Sequence, residues 1–167
     1  VREAQLMALK VPGTGMAVTS DIGNPDDIHP VRKQEVGRRL ARNAMALHYG
    51  VKGLTYSGPL YKRLEIEEDD GRKKARLFFS HIARGLVYTG EKLRCFEIAG
   101  DDRIFYEAEA SIEGNNVMLW SDMVKEPVAV RFGFSNATEP NLFNSEGLPA
   151  SPFRTDDWEV ETEIIEQ

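Results

Sequence analysis

The sequence has a single cysteine, two tryptophans, three histidines and no long run of apolar residues. One cysteine excludes a disulfide within the chain, and Cys95 lies in the alternating run Leu93–Ile98, which predicts a packed strand thiol rather than a nucleophile. No apolar stretch approaches the roughly 20 residues of a membrane-spanning helix, so we expect no membrane partner. The net charge of −6 and the lack of a basic stripe with interleaved aromatic residues argue against nucleic-acid binding.

Length and composition are those of a globular protein. The 167 residues, 41% of them hydrophobic and 29% charged, can form one domain, or one small domain together with part of another. The hydrophobic pattern changes near residue 52, so we divide the chain into residues 1–53 and residues 54–167.

The first part has an α/β pattern. We predict a helix over Arg2–Lys10, a short buried strand over Met16–Thr19 and a second helix over Val31–Tyr49, with Pro30 at the first turn and a glycine as the stop. Apolar residues recur along the second helix at steps of three and four, and we expect this face to be buried. The face consists of Val36, Leu40, Ala44 and Leu47. The arginines at positions 38, 39 and 42 are expected on a solvated face.

The second part has a period of two, which is typical of antiparallel strands and predicts a β-sandwich. Turn signals such as Asp70-Gly71 and Gly114-Asn115 separate the candidate strands. These are Leu54–Ser57, Lys62–Glu67, Ala75–Ser80, Leu86–Tyr88, Arg94–Ala99, Glu107–Ile112, Asn116–Trp120 and Val128–Phe134. The stretch Asn136–Asp157 is rich in proline and should be an ordered loop without regular pairing, and Trp158–Ile165 is a possible last strand.

That loop contains apolar side chains that are too large to leave in water. We therefore expect Asn141–Asp156 to fold back onto residues 1–50, with Arg154 making charge-assisted hydrogen bonds to an acid or to carbonyl groups.

Chemistry-bearing residues concentrate between the predicted strand and the second helix. The segment Asp21–Pro30 holds three carboxylates and His29, at the carboxyl end of a strand, where open α/β sheets bind ligands. Hydrolysis by a serine needs a neutral imidazole near neutral pH to take the hydroxyl proton. His29 is the histidine flanked by acids, whereas His48 is expected to interact with a helix end and His81 to lie in a turn.

The acid partner of His29 can be any of three carboxylates. Asp26 has a three-residue spacing that lets its carboxylate fold back onto the ring Nδ1, so we rank it first. Asp21 comes second, as either the orienting acid or a structural loop cap, and Asp27 third.

These segments resemble the last part of the catalytic domain of the sialate O-acetylesterase family, a branch of the SGNH hydrolases. In the first part of the chain the resemblance is carried by Arg2–Gln5, Gly15–Val18, Asp21–Gly23, Asp27–Pro30, Lys33–Ala41 and Tyr56–Pro59. It continues through Gly85–Val87, Phe96–Arg103, Pro127–Arg131, Asn141–Asn144 and Gly147–Asp156. It implies the edge of a three-layer α/β hydrolase domain followed by a β-sandwich, no cofactor or metal, and a periplasmic or secreted enzyme.

The implied activity is removal of O-acetyl groups from sugars, and acetylated sialic acid, xylan and xyloglucan are all open as substrates. The family's nucleophilic serine and oxyanion-hole donors belong to segments ahead of Val1, so this chain alone should be inactive without them. Ser57 lacks the glycine two residues earlier that a nucleophile elbow uses, and we interpret it as a linker residue. The missing part must come from the same polypeptide or from a second chain.

A carbohydrate-binding β-sandwich without catalytic activity is the alternative, and exposed aromatic residues would serve it by stacking on sugars. The available residues are Tyr88, Tyr106, Trp120 and Trp158. A contiguous exposed aromatic face would favour this alternative. A metal site is a weaker third class, because the histidines show no ligand spacing.

Overall fold

The computed structural model of the chain describes residues 1–24, 26–27 and 29–160. The described part is mostly antiparallel β-structure with two helices, α1 (Arg2–Ala8) and α2 (Lys33–Leu47). Among the described residues, no helix is long and apolar enough to cross a membrane. The strands are β1 (Leu60–Asp69), β2 (Arg72–Ser80), β3 (Leu86–Tyr88), β4 (Phe96–Ala99), β5 (Phe105–Glu107), β6 (Glu109–Glu113), β7 (Asn116–Trp120), β8 (Ala129–Phe132), β9 (Leu142–Asn144) and β10 (Phe153–Arg154).

The first sheet has the order β1-β2-β7-β6. Asp70 and Gly71 connect β1 to β2 with φ values of 51° and 70°, a left-handed conformation that glycine and aspartate tolerate better than most residues. The hairpin of β6 and β7 turns at Gly114, whose φ is 60°. Local turn chemistry therefore sets the register of both hairpins.

The second sheet has the order β10-β8-β4-β5, and β3 pairs with β9 in a separate two-stranded ribbon. Apolar side chains from both four-stranded sheets form one buried cluster. On the first sheet, Ala75 and Leu77 alternate with half-buried neighbours, as expected for a strand with one face in the core. On the second sheet, the ring centroids of Phe96 and Phe132 lie 4.4 Å apart.

Several predicted strands have different bounds. Leu54–Ser57 forms no strand, and the predicted strand Glu107–Ile112 is divided between β5 and β6. The proline-rich stretch is ordered, but it does contain regular pairing, because β9 pairs with β3 and β10 with β8. Residues 158–160 form no strand, and the rest of the predicted strand Trp158–Ile165 lies outside the described residues.

The contacts of helix α2 differ most from expectation. Its buried side chains are Arg39 and Asn43, whereas Leu40 is 51% exposed and Leu47 41% exposed. The predicted burial of these two leucines is therefore wrong for this chain, as is the solvated position expected for Arg39. The predicted strand Met16–Thr19 also forms no strand, although residues 16–18 are half-buried. Residues 1–50 thus contribute few side chains to a core in the described part of the chain.

The segment Asn141–Asp156 connects the β-structure to the first helix, as predicted. Arg154 Nε donates a 2.6 Å hydrogen bond to Glu3 Oε1, and α1 contacts β10. Leu142 and Phe153 belong to the buried core cluster of the β-structure, and Leu6 of α1 packs against the same cluster. The loop therefore belongs to the β core, and its Arg154 forms an ion pair with the N-terminal helix.

Candidate active site

Asp21 lies directly before the Asp/His loop and is fully engaged by helix α2. Arg39 Nη1 donates to Asp21 Oδ1 at 2.7 Å and Nη2 donates to Oδ2 at 2.8 Å, so both carboxylate oxygens are occupied. The side chains are 5% and 12% exposed. Of the two roles predicted for Asp21, orienting acid or structural cap, this geometry favours the structural one.

Arg39 makes two further hydrogen bonds. Its Nη1 donates to the carbonyl oxygen of Val18 at 2.6 Å, and its Nε donates to Glu35 Oε1 at 3.0 Å. Burial alone would lower the pKa of Arg39, but the hydrogen bonds and charges of Asp21 and Glu35 outweigh it and raise that pKa. The guanidinium is therefore permanently charged and forms a bidentate pair of the kind that Arg suits best.

His29 lies at the far end of the loop with its side chain 77% exposed. Asp27 Oδ1 lies 3.3 Å from His29 Nδ1 and also accepts a 2.8 Å hydrogen bond from the His29 backbone N–H. With the Nδ1 proton directed to this carboxylate, the neutral ring presents an unprotonated Nε2, which is the nitrogen a general base uses.

The structure thus brings His29 together with Asp27, the carboxylate that the sequence ranked last. Asp26, ranked first on its spacing, is exposed, and within the described residues its side chain makes no hydrogen bond to His29. Its backbone N–H donates instead to Asn24 Oδ1 at 3.0 Å. Asp26 and Asp27 are consecutive residues of the same short turn. Which of the two carboxylates orients the His29 ring during catalysis stays a prediction.

Asn43 is a second polar residue of α2 that the sequence-based prediction missed. Its Nδ2 lies within hydrogen-bond distance of the carbonyl oxygens of Met16, Arg39 and Tyr56, at 3.3, 2.9 and 3.2 Å. Arg39 and Asn43 are four residues apart, so they lie on one helical face, and this polar pair was the available signal. The apolar periodicity instead predicts that the neighbouring apolar positions are buried.

The other candidate nucleophiles and bases have structural roles. His48 Nε2 lies 3.1 Å from the carbonyl oxygen of Gly13. It therefore contacts the loop that contains Gly13, whereas the sequence predicted an interaction with the end of its own helix. His81 has a φ of 56° and directly follows β2, one residue before the turn that the Gly85 N–H closes on the Ile82 carbonyl, and burial lowers its pKa. Cys95 precedes β4 with a φ of 68°, and burial raises the pKa of its thiol, which makes it a poor nucleophile at neutral pH. Ser57 Oγ donates to the next carbonyl oxygen at 2.9 Å, in keeping with a linker residue.

A groove of about 590 Å³ runs between α1, residues 14–20 and residues 136–139. Its lining reaches Gly23 and Asn24 at the start of the Asp/His loop and does not include His29. Two hydroxyl oxygens in its lining, Ser20 Oγ and Thr138 Oγ1, are buried and have no hydrogen-bond partner among the described residues. The groove therefore has unsatisfied polar atoms beside the loop.

The four candidate sugar-stacking residues do not share a face. Trp120 lies in the first sheet with Lys74 Nζ 5.0 Å from its ring centroid, and Tyr106 packs against the core from the second sheet. Trp158 packs 5.6 Å from Phe105, and Tyr88 lies in the two-stranded ribbon. Among the described residues, no group of three or more His, Cys, Asp or Glu side chains is arranged to hold a metal ion.

Known proteins give two independent similarities. A solved carbohydrate acetylesterase from Xanthomonas citri is 47% identical, with a TM-score of 0.85, over 93% of this chain and 35% of that chain. Sialate O-acetylesterase from Mus musculus is 44% identical over 66 residues, and the human protein of the same name is 46% identical over 61 residues. The resemblance to the sialate O-acetylesterase family is confirmed.

The matches to the two sialate O-acetylesterases cover 37% and 34% of this chain, and each covers 12% of the relative's own length. The chain thus spans about a third of the solved acetylesterase and a much smaller share of the curated sialate O-acetylesterases. No family model matches it.

Proposed function

We propose that this chain is the C-terminal part of a serine-type carbohydrate O-acetylesterase, which hydrolyses O-acetyl esters on sugars. The observation that carries the proposal is the 47% identity to a carbohydrate acetylesterase over 93% of the chain. The Asp/His loop is the part of the chain with the chemistry that such an enzyme needs. In this proposal, residues 1–53 complete an SGNH-type hydrolase domain and residues 54–167 form a β-sandwich domain.

The surface of residues 1–53 supports this domain assignment. Leu40 and Leu47 of α2 are exposed next to a buried polar face, which inverts the usual pattern of a surface helix. The backbone N–H groups of residues 15–20 donate no hydrogen bond within the described part of the chain. Buried hydroxyls without partners, such as Ser20 Oγ, cost about 1–3 kcal/mol each. The missing hydrolase segment would cover the leucines and supply partners for these polar groups.

His29 acts as the general base in the proposed mechanism. Its Nε2 takes the proton of an upstream serine hydroxyl as the serine oxygen attacks the acetyl carbonyl carbon. The protonated ring then gives that proton to the sugar oxygen as its bond to the acetyl carbon breaks, which releases the sugar and leaves the acetyl group on the serine. His29 next takes a proton from water as the water oxygen attacks the acetyl carbon, and it returns that proton to the serine oxygen as acetate leaves. A carboxylate from the Asp26–Asp27 turn holds Nδ1, and the 3.3 Å contact supports Asp27 for this role.

The substrate is an O-acetylated carbohydrate, and sialic acid, xylan and xyloglucan derivatives share the required ester. The serine and the oxyanion-hole donors are supplied by the hydrolase segment that this chain lacks, on the same polypeptide or on a second chain. An enzyme acting on such substrates is expected in the periplasm or outside the cell.

Steady-state kinetics of the complete enzyme on an aryl acetate and an O-acetylated sugar test the catalytic assignment. His29→Ala should lower kcat by several orders of magnitude, as removal of a triad member does. His48→Ala is the matched control and should leave kcat unchanged, because His48 contacts a loop carbonyl outside the site. Near-normal rates of His29→Ala on both substrates would remove His29 from the mechanism.

Asparagine variants of the two neighbouring acids separate their roles. If Asp27 orients the ring, Asp27→Asn should lower kcat by about 10²-fold or more and Asp26→Asn much less. The opposite order would assign the role to Asp26, as the sequence spacing predicts.

The interface assignment has its own test in the complete enzyme. Leu40 and Ile104 are 51% and 53% exposed in this chain, but only Leu40 lies on the surface proposed to be covered. Leu40→Gln should lower the free energy of unfolding by about 1.5–3 kcal/mol, and Ile104→Gln should change it by less than about 0.5 kcal/mol. Equal effects would place Leu40 in solvent and contradict the assignment.

A further inference from the structure

Within the described residues, few hydrogen bonds join the loop that carries His29 to distant parts of the protein. The hydrogen bonds made by the described residues 22–24, 26, 27 and 29 are all local, such as Ile22 N–H to the Thr19 carbonyl oxygen at 3.1 Å and Asp27 N–H to that of Asn24 at 3.3 Å. The side chain of Ile22 is buried at 5% exposure. At the start of the loop, the hydrogen bonds to a distant element that the described part of the chain shows come from Arg39.

The bonds of Arg39 fix three backbone segments relative to one another. The guanidinium joins the carbonyl of Val18, the carboxylate of Asp21 and the Glu35 side chain in the first turn of α2. A planar group with two donors on one carboxylate fixes direction as well as distance. The point where the loop leaves residue 21 is therefore held in place by Arg39.

A buried ion pair of this kind is weak evidence for a role in stability. Desolvation of the two charges commonly offsets their attraction, so a hydrophobic pair of similar volume would often stabilise the folded state equally well. What the pair provides here is geometry and charge control. While Arg39 holds both oxygens of Asp21, that carboxylate is not free to compete with Asp26 and Asp27 for the His29 ring.

We propose that Arg39 is a positioning residue for His29, acting through Asp21. It holds the Asp/His loop so that the imidazole meets the reacting serine, and it keeps the carboxylate of Asp21 away from Nδ1. This inference rests on the proposed esterase function of His29. It assigns no contact between Arg39 and the substrate.

The matched control lies one residue away. Arg38 also donates to Glu35, at 2.9 Å, but its side chain is 69% exposed and it does not contact Asp21. Arg38→Met removes the same charge and a similar length of side chain from the same helix turn. Any effect of net charge or of Glu35 is therefore shared by the two variants.

The experiment measures kcat and KM of the complete enzyme on an aryl acetate, at a temperature where each variant is folded by circular dichroism. Arg39→Met and Asp21→Asn should each lower kcat by about 10²-fold, the typical effect of a misplacement near 1 Å, with KM changed by less than about twofold. The double variant should lose no more than either single variant, because both remove one interaction. Arg38→Met should keep the wild-type kcat.

The conservative variant adds a second readout. Arg39→Lys keeps the charge but cannot make the bidentate pair, so its kcat should lie between those of the wild type and Arg39→Met. Should Arg39→Met fail to fold, the isosteric Asp21→Asn carries the same prediction.

Two outcomes separate this inference from the proposed function. If His29→Ala is inactive while Asp21→Asn and Arg39→Met keep the wild-type kcat, the positioning role is wrong and the esterase assignment survives. If His29→Ala is active, the esterase assignment itself fails. Single-variant losses in kcat that multiply in the double variant would also overturn the inference, because the two residues would then act separately.

Discussion

The substitution Asp156→Asn tests how the N-terminal helix is joined to the β-structure. Asp156 is 1% exposed at its side chain, and Arg131 donates to both of its oxygens, at 2.8 and 3.0 Å. Arg154 approaches the same carboxylate at 3.5 Å and reaches Glu3 of α1 with its Nε. Two arginines thus share the carboxylate of Asp156, and one of them, Arg154, also pairs with Glu3 of α1.

The expected loss follows from the burial of these groups. Removing one partner of a buried ion pair typically costs about 3–5 kcal/mol, because the remaining charge is left uncompensated. Arg131 and Arg154 are 15% and 18% exposed, and Arg154 keeps Glu3, so we expect a loss at or just below the lower end of that range, about 2–3 kcal/mol. The control Asp122→Asn breaks an exposed pair with Arg72 at 2.7 Å and should cost less than about 1 kcal/mol.

The loss should also depend on pH. Burial alone would raise the pKa of Asp156, but the hydrogen bonds and charges of Arg131 and Arg154 outweigh it and lower that pKa. A lowered folded-state pKa gives stability that is present above the unfolded value, near 4, and is lost as the pH falls through the folded value. The difference between wild type and Asp156→Asn should be constant from about pH 5 to 8 and should shrink below about pH 4.

Urea unfolding of the complete protein at pH 7 and at pH 3.5, followed by tryptophan fluorescence, measures both effects. Equal losses for Asp156→Asn and Asp122→Asn at pH 7 would refute the role of burial. A loss for Asp156→Asn that grows on acidification would refute the direction of the pKa shift.

Two further substitutions, each with a control variant, probe close packing and a buried amide beside the β-structure. A Cβ on Gly58 would lie 1.9 Å from the carbonyl oxygen of Pro149, so Gly58→Ala should cost about 1–3 kcal/mol or more. A Cβ on Gly37 in α2 would meet nothing within 4 Å beyond its chain neighbours and its own helix backbone, so Gly37→Ala should gain about 0.5–1 kcal/mol. Thermal unfolding should move the two melting temperatures in opposite directions, and a shift in one direction for both would contradict the close approach. Asn144 is 0% exposed and its Nδ2 donates to two backbone carbonyls, at 3.0 and 2.9 Å, so Asn144→Asp should cost about 3 kcal/mol or more. The exposed-turn control Asn115→Asp should be nearly neutral in the same melts, and similar losses for both variants would contradict the buried amide network.

Short apolar runs bounded by turn signals were the part of the fold that sequence could predict most closely. The predicted strands Leu86–Tyr88 and Asn116–Trp120 match β3 and β7 in both bounds. In contrast, β10 has two residues and lies after several prolines, so it is too short to show a period. Its pairing with β8 depends on tertiary contacts that local pattern does not encode.

The helix beside the candidate site shows a different limit. Apolar periodicity identified α2, but it placed Leu40 inside and left Arg39 in solvent, the reverse of their exposure in this chain. Periodicity assumes that the apolar face meets the core of the same chain, and a polar pair such as Arg39 and Asn43 is invisible to that rule. Similarly, spacing ranked Asp26 first, while the turn conformation brings Asp27 to the ring.

Covalent labelling of the complete enzyme tests the central claim most directly, because it locates the nucleophile that His29 serves. A fluorophosphonate ester should label one serine, which peptide mass spectrometry should place outside the 167 residues of this chain. His29→Ala should slow that labelling by several orders of magnitude, and His48→Ala should not. Labelling of Ser57 or of another serine within this chain, or an unchanged labelling rate in His29→Ala, would contradict the account.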